Sequence, residues 1–172
     1  LSRLTERGQL IRAARGVYLR PVQTRFGPRS PSIEQAVEAL AQQRGEVIVP
    51  NGAAAANALG LTTQVPVRSV YLTSGRSRTL TMGKQSVELR HAPKWQLSLV
   101  GKTAGQAVRA LAWLGPEQAE SALQTLKHSL PAPVFVELVD AARQYPTWLA
   151  SAVLRSFHCK KPKGPASNGA DQ

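Results

Sequence analysis

A single cysteine, Cys159, stands among 172 residues, so no disulfide can form within one chain, and a reducing compartment is the matching expectation. Acids are scarce too, with ten Asp and Glu against 22 Lys and Arg. Most of those acids fall in helical-looking segments, which leaves little from which to build a paired-carboxylate hydrolase. The histidines His91, His128 and His158 are isolated, with no carboxylate or cysteine at metal-ligand spacing. No Gly-x-Ser-x-Gly nucleophile elbow occurs. No apolar run approaches the ~20 residues that span a bilayer, and no signal peptide is legible. The expectation is a cytoplasmic protein that is not an enzyme, holds no metal and needs no cofactor. The first residue is Leu1 rather than methionine, so a lost or processed start belongs to that expectation.

What is abundant is positive charge. The net charge is +12 and the sequence pI about 10.9, with a hydrophobic fraction of 42% that is ordinary for a folded core. A surplus of this size points to an anionic partner, nucleic acid ahead of a membrane surface. The charge is clustered. Residues 1–30 hold Arg3, Arg7, Arg12, Arg15, Arg20, Arg25 and Arg29 against Glu6 alone, and residues 76–102 hold Arg76, Arg78, Lys84, Arg90, Lys94 and Lys102 against Glu88. Neighbouring cations add their fields at one surface, so clustering says more than the total.

Leu1 and Leu4 give the apolar face of a short helix that stops at Gly8. Leu10–Ala13 and Val17–Arg20 then read as two strands around an Arg15-Gly16 turn. A helix end followed by a small basic ribbon is the DNA-contacting half of a winged helix. Arg3 and Arg7 lie one helical turn apart, opposite the leucines, while Arg12 and Arg15 are set to follow a phosphate backbone or to enter a minor groove, with Tyr18 packed beneath. The expected DNA-binding set is Arg3, Arg7, Arg12, Arg15, Tyr18 and Arg20.

Pro21–Arg29, with two prolines and a glycine, reads as a linker. Ser30-Pro31 opens a helix whose inward positions are Ile33, Ala36, Val37, Leu40 and Ala41, ended by Gly45. Glu46–Val49 is a short strand, Ala53–Leu59 a small-residue helix and Leu61–Pro66 a loop. Val67–Thr73 alternates as a strand, and Thr79–Met82 and Ser86–His91 pair around Gly83-Lys84-Gln85. From Thr103, expected to cap its helix, the period is helical. The later segments begin at Pro116, Pro133 and Pro146. Beyond Phe157 the composition is that of a disordered tail.

Gly101-Lys102-Thr103 looks like the end of a phosphate-binding loop, but Gln96 stands where the motif needs glycine, and Leu97–Val100 reads as strand. Asn57, Gln64, Thr73, Arg76 and Arg78 are candidates for a partner or anion surface. Asn51 is better read as a helix cap, and His91 as structural or exposed.

The blocks Leu1–Leu19, Asn51–Pro66 (NGAAAANALGLTTQVP) and Tyr71–Arg78 (YLTSGRSR), followed by Pro146-Thr147-Trp148-Leu149, resemble a bacterial family related to the AbiEi antitoxins of type IV toxin–antitoxin systems. The resemblance implies an N-terminal winged helix, with roughly two further helices ahead of Leu1, that binds double-stranded operator DNA of its own operon. It also implies a C-terminal domain that counters a nucleotidyltransferase-like toxin, directly or indirectly. The expected class is α+β: a partial winged-helix module over 1–20, a linker over 21–30, a mixed α/β domain with a helical C-terminal part over 31–157, and a basic tail over 158–172. The alternatives are an orphan regulator without a toxin, an interaction module acting through 51–78, or an enzyme using Arg76, Arg78 and His91 on a phosphate ester.

Overall fold

The computed structural model describes residues 2–14, 17–29, 31–82 and 84–158. It is a mixed α+β structure with seven α-helices and small sheets among the described residues. Arg15 and the segment 159–172, which contains Cys159 and most of the expected tail, lie outside them.

Helix α1 (Ser2–Glu6) ends through Gly8 at φ +69°, with the Gln9 and Leu10 amides donating to the Leu4 carbonyl. Strands β1 (Ile11–Ala14) and β2 (Val17–Leu19) pair antiparallel as expected, Ile11 opposite Leu19 and Arg12 opposite Tyr18. The segment read as a linker is not featureless. It forms a second antiparallel ribbon, β3 (Val22–Thr24) and β4 (Gly27–Arg29), with Pro28 opposite Gln23. Two-stranded ribbons have open edges, so a proline can sit there without breaking a ladder.

Helix α2 (Ile33–Arg44) is capped by Ser32; Ser30, the expected cap, lies outside the described residues. The Gln35 amide donates to Ser32 Oγ while the Ser32 amide donates to Gln35 Oε1, a reciprocal box one residue beyond the proline. The main sheet follows, with β5 (Ile48–Pro50), β6 (Ser69–Thr73), β7 (Arg78–Met82) and β8 (Gln85–His91) in the order β5-β6-β8-β7. β6 and β8 run parallel with Tyr71 beside Leu89; the outer pairs are antiparallel.

Alternation along these strands sends side chains to two faces. Ile48, Tyr71, Leu80, Val87 and Leu89 face a core completed by Ala36, Val37 and Leu40 of α2 and by Ala13, Val17 and Leu19 of the first ribbon. The first ribbon is thus built into the same core as the sheet, and β1 lies alongside β7. Val49 and Leu72 face the other way, toward Ala92 and Leu97. Leu40, Leu80 and Leu89 are fully buried, and burial of each such side chain contributes about 1.5–3 kcal/mol.

Beyond the sheet lies a helical layer: α3 (Gly52–Ala58), α4 (Thr103–Leu114), α5 (Pro116–Ser129), α6 (Ala132–Asp140), a 3₁₀ turn (Ala142–Gln144) and α7 (Thr147–His158). Asn51 caps α3, accepting from the Ala54 amide at 3.0 Å. Thr103 does not cap α4. It is the first helical residue, Lys102 holds the cap position without a side-chain bond, and Lys102 Nζ instead donates to Glu137 at 2.8 Å. Leu97–Val100 is turn rather than strand: Leu97 drops into the core, and Leu99 bends the chain at φ +54°.

Candidate nucleic-acid interface

The first ribbon has an inner and an outer face. Ala13, Val17 and Leu19 are buried, whereas Arg12 is exposed and its cross-strand neighbour Tyr18 is half-buried. Opposed residues in an antiparallel pair share a face, so Tyr18 lies next to Arg12 on the outside. Gln43 Nε2 of α2 donates to the Tyr18 carbonyl at 3.3 Å and ties the ribbon to the helix behind it. Arg3 and Arg7 on and after α1 are exposed, as is Arg20 after β2. Of the expected DNA-contact residues, only Arg15 cannot be placed. Beside β2, a groove of about 540 Å³ runs between the ribbon and α2, with Tyr18, Arg20, Val22, Gln35 and Gln43 on its walls.

The second ribbon supplies what sequence reading missed. Its turn is held by Thr24 Oγ1, which donates to the Gly27 carbonyl at 2.8 Å and accepts from the Phe26 amide at 3.2 Å, with Gly27 at φ +103°. That turn presents Phe26 with 83% of its surface exposed, and the Arg25 guanidinium lies 4.7 Å from the ring centroid. An exposed phenylalanine under an arginine is a preassembled stacking element. Arg29 is exposed on the same ribbon. The overlooked signal was Thr-Arg-Phe-Gly between two short extended pairs, a turn sequence hidden by its flanking prolines. No acid occurs between Glu6 and Glu34, so six arginines from Arg7 to Arg29 have no sequence-local counter-charge.

The second candidate group divides. Asn57 Nδ2 donates to the Thr62 and Gln64 carbonyls, at 3.4 and 3.2 Å, and so braces the loop after α3. Thr73 is fully buried, and its hydroxyl donates to Glu46 Oε2 at 3.0 Å. Arg78 donates to the same oxygen at 2.6 Å and to the Arg76 carbonyl at 3.1 Å. Thr73 is thus an internal brace, out of reach of a partner, Arg78 is partly exposed and held by Glu46, and Arg76 is exposed. Burial raises the Glu46 carboxyl, but the Arg78 and Thr73 hydrogen bonds and the charges of Arg78 and Arg44 outweigh it and hold the group below its ordinary value. His91 joins the brace: its amide donates to Ser77 Oγ at 2.9 Å, and its Nδ1 lies 2.8 Å from the Gly75 carbonyl. Among the described residues, no three His, Cys, Asp or Glu side chains gather as metal ligands. No helix of those residues is long and apolar enough to cross a membrane.

A family model described as a family of unknown function, DUF6088, matches residues 1–131. The chain is a member of DUF6088. The match takes in both ribbons, α2, the sheet, α3, α4 and α5. No curated protein and no solved structure matches the chain. Membership in DUF6088 assigns no activity, so function has to be argued from the residues.

Proposed function

We propose that this DUF6088 member is a DNA-binding transcriptional regulator, with α1 and the β1–β2 ribbon acting as the recognition-helix end and wing of a winged helix. The observation that carries the reading is the one-sided charge of the N-terminal surface. Arg3, Arg7, Arg12, Arg20, Arg25 and Arg29 are exposed on or next to α1 and the two ribbons, and Glu6 is the one acid before Glu34. Duplex DNA presents phosphates along both sides of its grooves, and guanidinium groups on a narrow ribbon suit that spacing. In this reading Arg12 contacts phosphate beside Tyr18, and Phe26 with Arg25 enters an adjacent minor groove as an apolar wedge.

The resemblance to AbiEi-like antitoxins supports a further part of the proposal. The region from residue 31 to 157 counters a nucleotidyltransferase-like toxin, and the regulated operon is the protein's own.

The test is fluorescence anisotropy with duplexes drawn from the protein's upstream region and with scrambled controls. Affinity is expected to fall linearly with the logarithm of salt concentration, by about 0.9 of a log unit per phosphate contact. Arg12→Ala and Arg25→Ala should each reduce that slope by about one. Salt-independent binding, or none, would defeat the reading. For the antitoxin role, co-expression with a neighbouring nucleotidyltransferase-like gene should relieve growth arrest; persistent arrest counts against it.

A further inference from the structure

On the sheet face opposite the first ribbon, a cavity of about 210 Å³ opens between α3, α4 and strands β6 and β8. Arg109 of α4 lines it and is only 3% exposed. A buried guanidinium is normally neutralised by a carboxylate. Arg109 has none among the described residues: the ion pairs there join Arg78 to Glu46, Arg90 to Glu88, Lys102 to Glu137 and Arg155 to Glu120. Among the described residues its Nε has no hydrogen-bond partner, and its Nη1 reaches only the Gln96 carbonyl, at a long 3.4 Å. Burial alone pushes its pKa down, with no acid nearby to offset that.

We propose that Arg109 is the receptor for a small oxyanion, a ligand presenting a carboxylate or phosphate group to this cavity. Five N–H donors in a planar fork match the paired oxygens of either group. The other walls suit such a ligand. Asn51 and Gln96 bring amide side chains, Leu72 and Trp113 bring apolar surface, and Arg90 adds a second cation, itself held by Glu88 at 2.8 and 3.0 Å. The volume lies below the roughly 300 Å³ at which drug-sized sites begin, so only a few heavy atoms fit. The proposal stands on Arg109 and is independent of the nucleic-acid reading.

The test is thermal unfolding of the full chain at constant ionic strength, with chloride exchanged for inorganic phosphate or for acetate. The midpoint should rise by about 3–6 °C at roughly ten-fold excess over Kd, and the anion giving the larger rise names the class. In Arg109→Met that rise should vanish, while the anion-free midpoint stays level or increases, because an uncompensated buried charge has been replaced by an apolar side chain. An Arg12→Ala/Arg25→Ala/Arg29→Ala variant should keep the full rise, which separates this site from the basic N-terminal surface. Three results would overturn the proposal: no rise with either anion in the wild type, a rise that persists in Arg109→Met, or a lower anion-free midpoint in Arg109→Met, which would mark a purely structural arginine. If Arg109→Met does not fold, the ³¹P line of phosphate and the methyl ¹H line of acetate are measured with the triple arginine variant. Broadening of either line supports the site, and two unbroadened lines overturn it.

Discussion

Arg78 Nη2 lies 2.6 Å from Glu46 Oε2, joining the start of β7 to the connection between α2 and β5 across 32 positions of sequence. The same oxygen accepts from buried Thr73, so one carboxylate anchors two strands. Glu46→Gln weakens both bonds and should lower stability by about 2 kcal/mol, as for a hydrogen-bonded charge. The folded carboxyl titrates below the unfolded one. Its contribution is therefore complete above the unfolded value of about 4.3 and is lost as pH falls through the lower folded value. Urea midpoints of wild type and Glu46→Gln should differ at neutral pH and converge in acid; a constant gap would disprove the linkage.

Leu19 of the first ribbon is buried with Leu40 of α2 and Leu89 of β8. Leu19→Ala should cost about 2–5 kcal/mol and shift one cooperative transition. The tryptophans, Trp95, Trp113 and Trp148, all lie in the C-terminal half, so their fluorescence reports whether the loss is felt there. An unchanged tryptophan transition would mean that residues 1–20 unfold as an independent unit.

Helix α3 meets α4 through Gly52. A Cβ at this position would run into the Arg109 carbonyl and Trp113 Cβ, neither of which is a flexible side-chain end. Gly52→Ala should destabilise by about 1–3 kcal/mol through overpacking, despite alanine's better helix propensity. A calorimetric midpoint at or above wild type would show that the two helices can separate freely.

Tyr145 is buried, and its hydroxyl has no hydrogen-bond partner among the described residues. Burial pushes its pKa up to about 12. The unfolded phenol ionises first, near pH 10, so the contribution of Tyr145 is complete below that value and is lost as pH rises through the folded one. Tyr145→Phe should leave stability at neutral pH unchanged or slightly raised, since the lost hydroxyl was unpaired. It should also flatten the alkaline decline. Substantial destabilisation at neutral pH would reveal a hydrogen bond to that hydroxyl.

The basic N-terminal surface was legible because charge clustering and a helix-ribbon pattern are local properties; Arg12 and Tyr18 needed only the register of one hairpin. Phe26 was missed because Pro21 and Pro28 imitate a linker, although an isolated ribbon tolerates proline. The pairing of Arg78 with Glu46 was not legible, because the two lie far apart in sequence.

The helix periods, the alternation of β6 and β8, the Asn51 cap and the placing of half the net charge before residue 31 are all written in local sequence. Each follows from neighbours within a turn or a strand pair, where backbone geometry converts spacing directly into faces. Long-range packing settled that the first ribbon shares a core with α2 and the sheet, that Thr73 and Arg78 serve Glu46, and that Arg109 is buried with no counter-ion among the described residues. Those outcomes depend on which distant segments meet, and periodicity gives a side chain its face but not its partner.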